Sequence, residues 1–162
     1  MSSETKSAAD ADKGGPPPRW ILKLFTKINV VVYKLSGGRL MNKLSGMPIV
    51  LVEMTGAKSG ATRTIPLMYV PDADDFVLVA SQGGAPKHPV WYHNLVAHPG
   101  VRITFAGKTR PMQARLLNDE EKAAVWPTCV KYYPPYQDYQ DRTSRNIPVF
   151  RCEGVSQVQA AL

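Results

Sequence analysis

Two glycine-bracketed loops and one run of tyrosines hold the residues of this chain whose types and spacing point to chemistry. The first loop, Gly56-Ala57-Lys58-Ser59-Gly60-Ala61-Thr62-Arg63, sets two cations around a turn that lets backbone approach a ligand closely, a pattern suited to an anion. It is not a nucleotide P-loop. That motif needs glycine directly before the Lys-Ser pair and five residues earlier, with a helix to follow. Here those positions are Ala57 and Val52, and the segment Arg63 to Tyr69, with Thr64 and Pro66, reads as a strand. The second loop runs from Ala80-Ser81-Gln82-Gly83-Gly84 through Lys87 and Pro89 to Trp91-Tyr92, ending at a helix start whose free N–H groups suit an anion. The third element is Tyr132-Tyr133-Pro134-Pro135-Tyr136-Gln137-Asp138-Tyr139. A helix after the prolines puts Tyr136 and Tyr139 on one face, and clustered phenols in a polar segment suit a flat aromatic substrate that needs stacking and a proton.

Other chemistries lack their residues. No Gly-x-Ser-x-Gly elbow and no Gly-x-Gly-x-x-Gly fingerprint occurs. His88, His93 and His98 fall five apart, which is not the helical spacing of a zinc pair, and read as unrelated. Acid pairs occur only in a turn (Asp74, Asp75) and at a helix start (Glu120, Glu121). Cys129 and Cys152 have no metal or redox spacing and read as packing residues.

The elements that must position these loops follow from periodicity. Ile21, Leu24, Phe25, Ile28, Val32 and Leu35 form a 3/4-spaced stripe with Lys23, Lys27 and Lys34 off it, predicting a helix over 20–36 that packs on the domain or rests on a membrane surface. Residues 1–19 are small, polar and rich in Pro and Gly, the composition of a disordered tail. From Pro48 the texture is β: 48–54, 63–70 and 76–80, then a helix over 89–97. A hairpin of 101–105 and 108–116 turns about Ala106-Gly107. Asn118 with Glu121 predicts a capping box for a helix towards Tyr132, strained at Pro127, and Ile147 to Cys152 is a last strand. Strands joined mostly by short turns predict an α+β fold with an antiparallel sheet or barrel, here over 37–162.

At 162 residues and 44% hydrophobic, the chain suits one domain with a real core. It has no run long and apolar enough for a span and no signal-peptide stretch, which predicts a cytoplasmic protein. The formal charge is +7; the first 19 residues carry three acids and three bases, leaving 17 of the 20 bases and 10 of the 13 acids for the rest. A basic domain expects an anionic partner, whether nucleic acid, anionic membrane or polyanionic small molecule.

The stretches MTGAKSGATRTIPLMYV, VLVASQGGAPKHPVWYHNLVAHPGV and YYPPYQDYQDRTSRNIPVFRCE together resemble the deazaflavin-dependent nitroreductase family of actinobacteria, over about residues 20–153. The resemblance implies a split β-barrel of the flavin-reductase type that binds coenzyme F-420, an 8-hydroxy-5-deazaflavin bearing a phosphate and an oligoglutamate tail. It also implies hydride transfer from the reduced form to quinones, nitroimidazoles and activated enones. Carried over by position, it puts Lys58, Ser59, Gly60 and Arg63 at the phosphate and tail. Thr64, Pro66, Leu67 and Met68 would line the ring, Val79, Ala80, Ser81 and Gln82 its edge, and Val90, Trp91, Tyr92 and Asn94 its far side. Tyr133, Tyr136, Tyr139 and Met68 would face the acceptor, with Ser81 polarising it and Tyr139 or Tyr133 relaying a proton. The chain departs from the family pattern at Ala57 and Gln82, where cations are common, and at Met68, where a relative has Tyr.

An FMN-dependent split-barrel oxidoreductase is the enzyme alternative, since that barrel serves several flavins. A basic nucleic-acid module is the alternative of another class. Its aromatic residues would be interleaved with a Lys/Arg stripe, whereas here they sit in one carboxyl-terminal segment.

Overall fold

The computed structural model describes residues 19–40, 42–44 and 46–155; the stretch read as a disordered tail lies, but for Arg19, outside them. Helix α1 (Arg19–Leu35) leads into strands β1 (Lys43–Leu44), β2 (Met47–Thr55), β3 (Thr62–Met68), β4 (Val70–Asp72) and β5 (Asp75–Val79). Next come a short 3-10 turn at Gln82–Gly84, α2 (Val90–Ala97), β6 (Gly100–Phe105), β7 (Lys108–Leu116), α3 (Asp119–Tyr132), α4 (Pro135–Arg142) and β8 (Val149–Gly154).

All strand pairings are antiparallel, in the order β1-β2-β6-β7-β8-β5-β4, with β3 on β2. The sheet is curled. Its two ends approach each other where β3 comes alongside β5, and among the described residues β3 pairs with β2 alone. The opening of the barrel therefore lies between β3 and the end of β5.

Period-2 alternation explains why one sheet serves three clusters. Val50, Val52 and Met54 of β2 face the barrel interior with Leu78, Val101, Ile103, Met112 and Phe150. The alternate residues Ile49 and Leu51 face outward and are covered by Tyr33 of α1. On the other side, Val77 and Val79 of β5 and Val149 of β8 pack with Val125 and Cys129 of α3 and Tyr136 of α4. The apolar run Ile49 to Val52 is thus buried on both faces, while β6 and β7 alternate and keep Arg102 and Gln113 outside.

Helix α1 corrects the sequence reading of its face. Tyr33 is 2% exposed and makes the contact to the sheet, with Val30 beside it. Leu24, Ile28 and Leu35, members of the predicted packing stripe, are 51%, 49% and 83% exposed, as is Val31 at 53%. At 3.6 residues per turn these four share a face opposite Tyr33. Helix α3 runs through Pro127 and starts on the predicted box: Asn118 Oδ1 accepts from Glu121 N at 2.8 Å, and Glu121 Oε2 from Asn118 N at 3.0 Å.

Candidate active site

A cleft of about 600 Å³ opens between the Gly56–Gly60 turn, β3 and α2. Its walls include Met54, Lys58, Ser59, Arg63, Ile65, Val90, Trp91, His93 and Asn94. The turn is held by its own backbone, Gly56 N donating to Ala61 O at 2.8 Å and Gly60 N to Gly56 O at 2.9 Å. A Cβ on Gly56 would stand 2.7 Å from Ser59 Oγ, so a side chain there would displace the hydroxyl. From α2, Asn94 fixes the turn to the barrel. It is 8% exposed; its Oδ1 accepts from Ala57 N at 2.9 Å and its Nδ2 donates to Met54 Sδ at 3.6 Å. Lys58 and Arg63 reach solvent at the rim. The donor set is two cations and a glycine turn at one end of an apolar wall of Ile65, Val90 and Trp91. That fits a flat ring carrying an oligoanionic tail.

The second group lies at the barrel opening. Val79, Ala80 and Ser81 are 7%, 0% and 8% exposed. Gln82 is exposed and adopts φ 45°, in the left-handed region. Met68 packs both on the Tyr33 cluster and on the cluster of Val79, Tyr133, Tyr136 and Tyr139. Here the substrate-side residues implied by the resemblance do come together.

Within that cluster the tyrosines differ. The Tyr133 and Tyr139 hydroxyls stand 3.3 Å apart, and the hydrogen bond with burial raises the Tyr133 phenol above its ordinary pKa. Arg142 lies over the Tyr139 ring at 5.6 Å. Tyr136 is 2% exposed, and burial raises its pKa strongly. The expectation that Tyr136 and Tyr139 together face a substrate is therefore corrected for Tyr136, which is a core residue. The Pro134-Pro135 turn directs the start of α4 inward, and Tyr136 fills the space beside Cys129 and Val125.

Other positions divide by strand parity. Arg63, Ile65 and Leu67 share one face of β3, towards the cleft and interior; Thr64, Pro66 and Met68 lie on the other. Tyr92 is outside the cleft, its ring tilted 31° against His88 at 4.2 Å and edge-on to Phe150 at 5.8 Å. Sequence reasoning missed Met54, Ile65 and His93 in the cleft walls. The alternation of β3 was the signal for Ile65. His93 precedes Asn94 on α2, and only the helix rotation places it.

The sequence profile of the F-420H(2)-dependent quinone reductases matches residues 25–154. This chain belongs to that family. An F-420H(2)-dependent quinone reductase of Mycobacterium tuberculosis (strain H37Rv) is 37% identical over 127 residues, covering 76% of this chain and 85% of the relative. A second M. tuberculosis protein, a putative F-420H(2)-dependent quinone reductase, is 35% identical over 103 residues, 64% of this chain and 87% of its own. A solved F-420-H2 dependent reductase is 48% identical with TM-score 0.61, over 65% of this chain and 94% of that one. A structure described as a domain-swapped dimer is 40% identical with TM-score 0.65, over 83% and 97%. The fold is the split barrel of these reductases, and the family's activity is hydride transfer from the reduced deazaflavin to a small-molecule quinone. No helix among the described residues is long and apolar enough to cross a membrane.

Proposed function

We propose that this chain reduces a quinone or similarly activated acceptor, with the tail of coenzyme F-420 at the Lys58–Arg63 cleft and the acceptor at the Met68–tyrosine cluster. The observation that carries it is the cleft itself, an apolar wall leading to a glycine turn with two cations, pinned by Asn94. When bound, the reduced coenzyme supplies a hydride from C5 of its ring. Lys58 and Arg63 attract the tail, the fixed turn presents its backbone, and Trp91 and Val90 exclude water from one side. Ser81, between β5 and the Gln82–Gly84 turn, orients the acceptor by hydrogen bond. Tyr139 and Tyr133 share one hydroxyl contact, so either phenol holds a proton near the acceptor and is replenished by the other. The protein's contribution is positioning and electrostatics; the coenzyme carries the redox chemistry.

The deciding experiment titrates the protein with coenzyme F-420 and, separately, FMN, following fluorescence, then follows oxidation of the reduced coenzyme by menadione. Saturable binding of F-420 and quinone-dependent oxidation are expected. Tight FMN binding without F-420 binding would favour the FMN alternative, and loss of both would end the reading.

We propose further that the protein is cytoplasmic and meets an anionic membrane surface through α1. The exposed face of Leu24, Ile28, Val31 and Leu35 supports this, as does the helix's composition, with Arg19, Lys23, Lys27 and Lys34 and no acid.

A further inference from the structure

We propose that Arg145 is a positioning residue of the reduction, strapping the Ser81 loop to the tyrosine helix so that ring edge and acceptor wall keep one separation; this rests on the function proposed above. Arg145 lies between α4 and β8. Its Nε donates to Ala85 O at 2.8 Å, Nη1 to Ala80 O at 3.1 Å and Nη2 to Ser81 O at 2.6 Å. Nη1 also stands 3.1 Å from His88 Nδ1, which accepts from it. Four of the five guanidinium N–H groups thus point at one loop.

That loop does not hold its shape through ordinary backbone preference. Gln82, Gly83 and Gly84 have φ of 45°, 64° and 76°, three successive left-handed residues, one of them not glycine. The carbonyls of Ala80, Ser81 and Ala85 converge on a single planar cation, and the loop's own backbone adds only Gly84 N donating to Ser81 O at 2.9 Å and Ala85 N to Gln82 O at 3.1 Å. Removing that cation frees the loop to relax, and Ser81 moves with it.

The other end of the strap is α4. Gln140 Nε2 donates to Arg145 O at 2.9 Å, and Gln140 Oε1 accepts from Ile147 N at 3.0 Å and Lys122 Nζ at 2.9 Å. At Gly84 the two units touch directly: a Cβ there would lie 2.7 Å from Tyr139 O and 3.1 Å from Tyr139 Cα. Loop and tyrosine helix are therefore set against each other by one guanidinium and one missing side chain. Hydride transfer is sensitive to donor–acceptor placement, so this pair controls turnover without touching either reactant.

The test compares Arg145→Lys, Arg145→Ala and Gly84→Ala with the parent protein at a temperature well below every melting transition. Coenzyme F-420 affinity should stay within about threefold, because the tail cleft is built from other elements. Turnover with menadione should fall about 10–100-fold in all three, the loss expected from misplacing reacting groups. Guanidinium at millimolar concentration should partly restore Arg145→Ala and do nothing for Gly84→Ala. In the coenzyme-free protein, nitrogen NMR of the histidines should show His88 with its proton on Nε2, and both Arg145 variants should lose that single tautomer. Parent-like turnover in Arg145→Lys and Gly84→Ala would overturn the proposal. So would a uniform melting-temperature loss with no turnover defect in the cold. If the parent itself fails to bind the coenzyme, the proposed function falls and this inference with it, while an intact His88 signature would show that the strap exists without that role. Should Arg145→Ala fail to fold, Gly84→Ala, with Arg145 intact, decides the same question.

Discussion

At the residue scale the cleft separates groups that attract a ligand from one that shapes the turn. Lys58→Ala and Arg63→Ala should each weaken coenzyme binding by about 1–3 kcal/mol, the range for hydrogen bonds to charged groups. The loss should shrink as salt rises, because both side chains stand in solvent. Asn94 differs, since its amide is buried and spent on Ala57 N and Met54 Sδ. Asn94→Ala should cost about 1–3 kcal/mol of stability by stranding the Ala57 N–H. Asn94→Asp keeps the acceptor for Ala57 N but buries a carboxylate and loses the donor to Met54 Sδ, so it too should lower the melting temperature. The new carboxylate should also lower coenzyme affinity, because it sets a negative charge in the wall of the cleft that would hold an anionic tail. Equal affinity in Asn94→Asp and parent would remove the anionic tail from this cleft. The phenols divide in the same way. Tyr139→Phe and Tyr133→Phe should keep coenzyme binding and lose about 10²–10⁴-fold in turnover, as for a lost general acid. Tyr136→Ala should instead cost about 3–5 kcal/mol of stability, as expected for a buried aromatic. Unchanged rates in both Phe variants would assign protonation to water.

At the element scale, the sequence made the existence of helices and strands plain and their orientation much less so. Asn118 and Glu121 marked the start of α3, and the hairpin was visible from the β-like runs on either side of Ala106-Gly107, which turn at φ 49° and 76°. Both loops stood out by their glycines and cations, and the first of them lines the cleft together with α2. Three things were not legible. In α1 an apolar stripe normally means a packing face, yet the barrel uses Tyr33, whose ring reaches Ile49 and Leu51 from the opposite side. In α4 the polar segment put Tyr136 with Tyr139 on a substrate face, and only the proline turn at its start shows why Tyr136 points inward. Arg145 carried no motif, because its partners are carbonyls some sixty residues away in sequence. The α1 inversion yields a two-part prediction. Tyr33→Ala should destabilise by about 3–5 kcal/mol. Replacing Leu24, Ile28, Val31 and Leu35 together by Gln should leave melting and quinone reduction unchanged but abolish sedimentation with anionic vesicles. Retained sedimentation would dismiss the membrane contact, and a drop in molar mass on the same substitutions would mean that a second copy covers the face.

At the scale of the whole molecule, three clusters share one curled sheet, so stability at one end is coupled to the loops at the other. The thiols show how closed the clusters are: burial pushes Cys129 up to about 11 and Cys152 up to about 12, so both stay protonated and inert while the fold holds. Acid is the perturbation that should enter through the loops. Burial, then Arg145 and His93, lower the His88 pKa below its ordinary 6.5. Between the lowered folded value and 6.5 the unfolded chain holds a proton that the folded chain does not. Stability must therefore rise with pH through that window and fall as pH drops below about 6.5. The Glu121 carboxyl is lowered by the Asn118 backbone hydrogen bond and by Arg115, so its stabilisation fades only further down, below its ordinary 4.5. Melting temperature should thus be highest near pH 7, decline first as pH falls below about 6.5, and decline again below 4.5. His88→Asn keeps an acceptor for Arg145 but cannot take a proton, so it should erase the first decline and leave the second. The first decline is also the one that loosens the Ala80–Ala85 loop, because a protonated His88 faces the Arg145 guanidinium at 3.1 Å. Turnover should therefore fall with it in the parent and persist in His88→Asn. Identical pH profiles for the two proteins across that window would show that His88 is held by packing against Tyr92 alone.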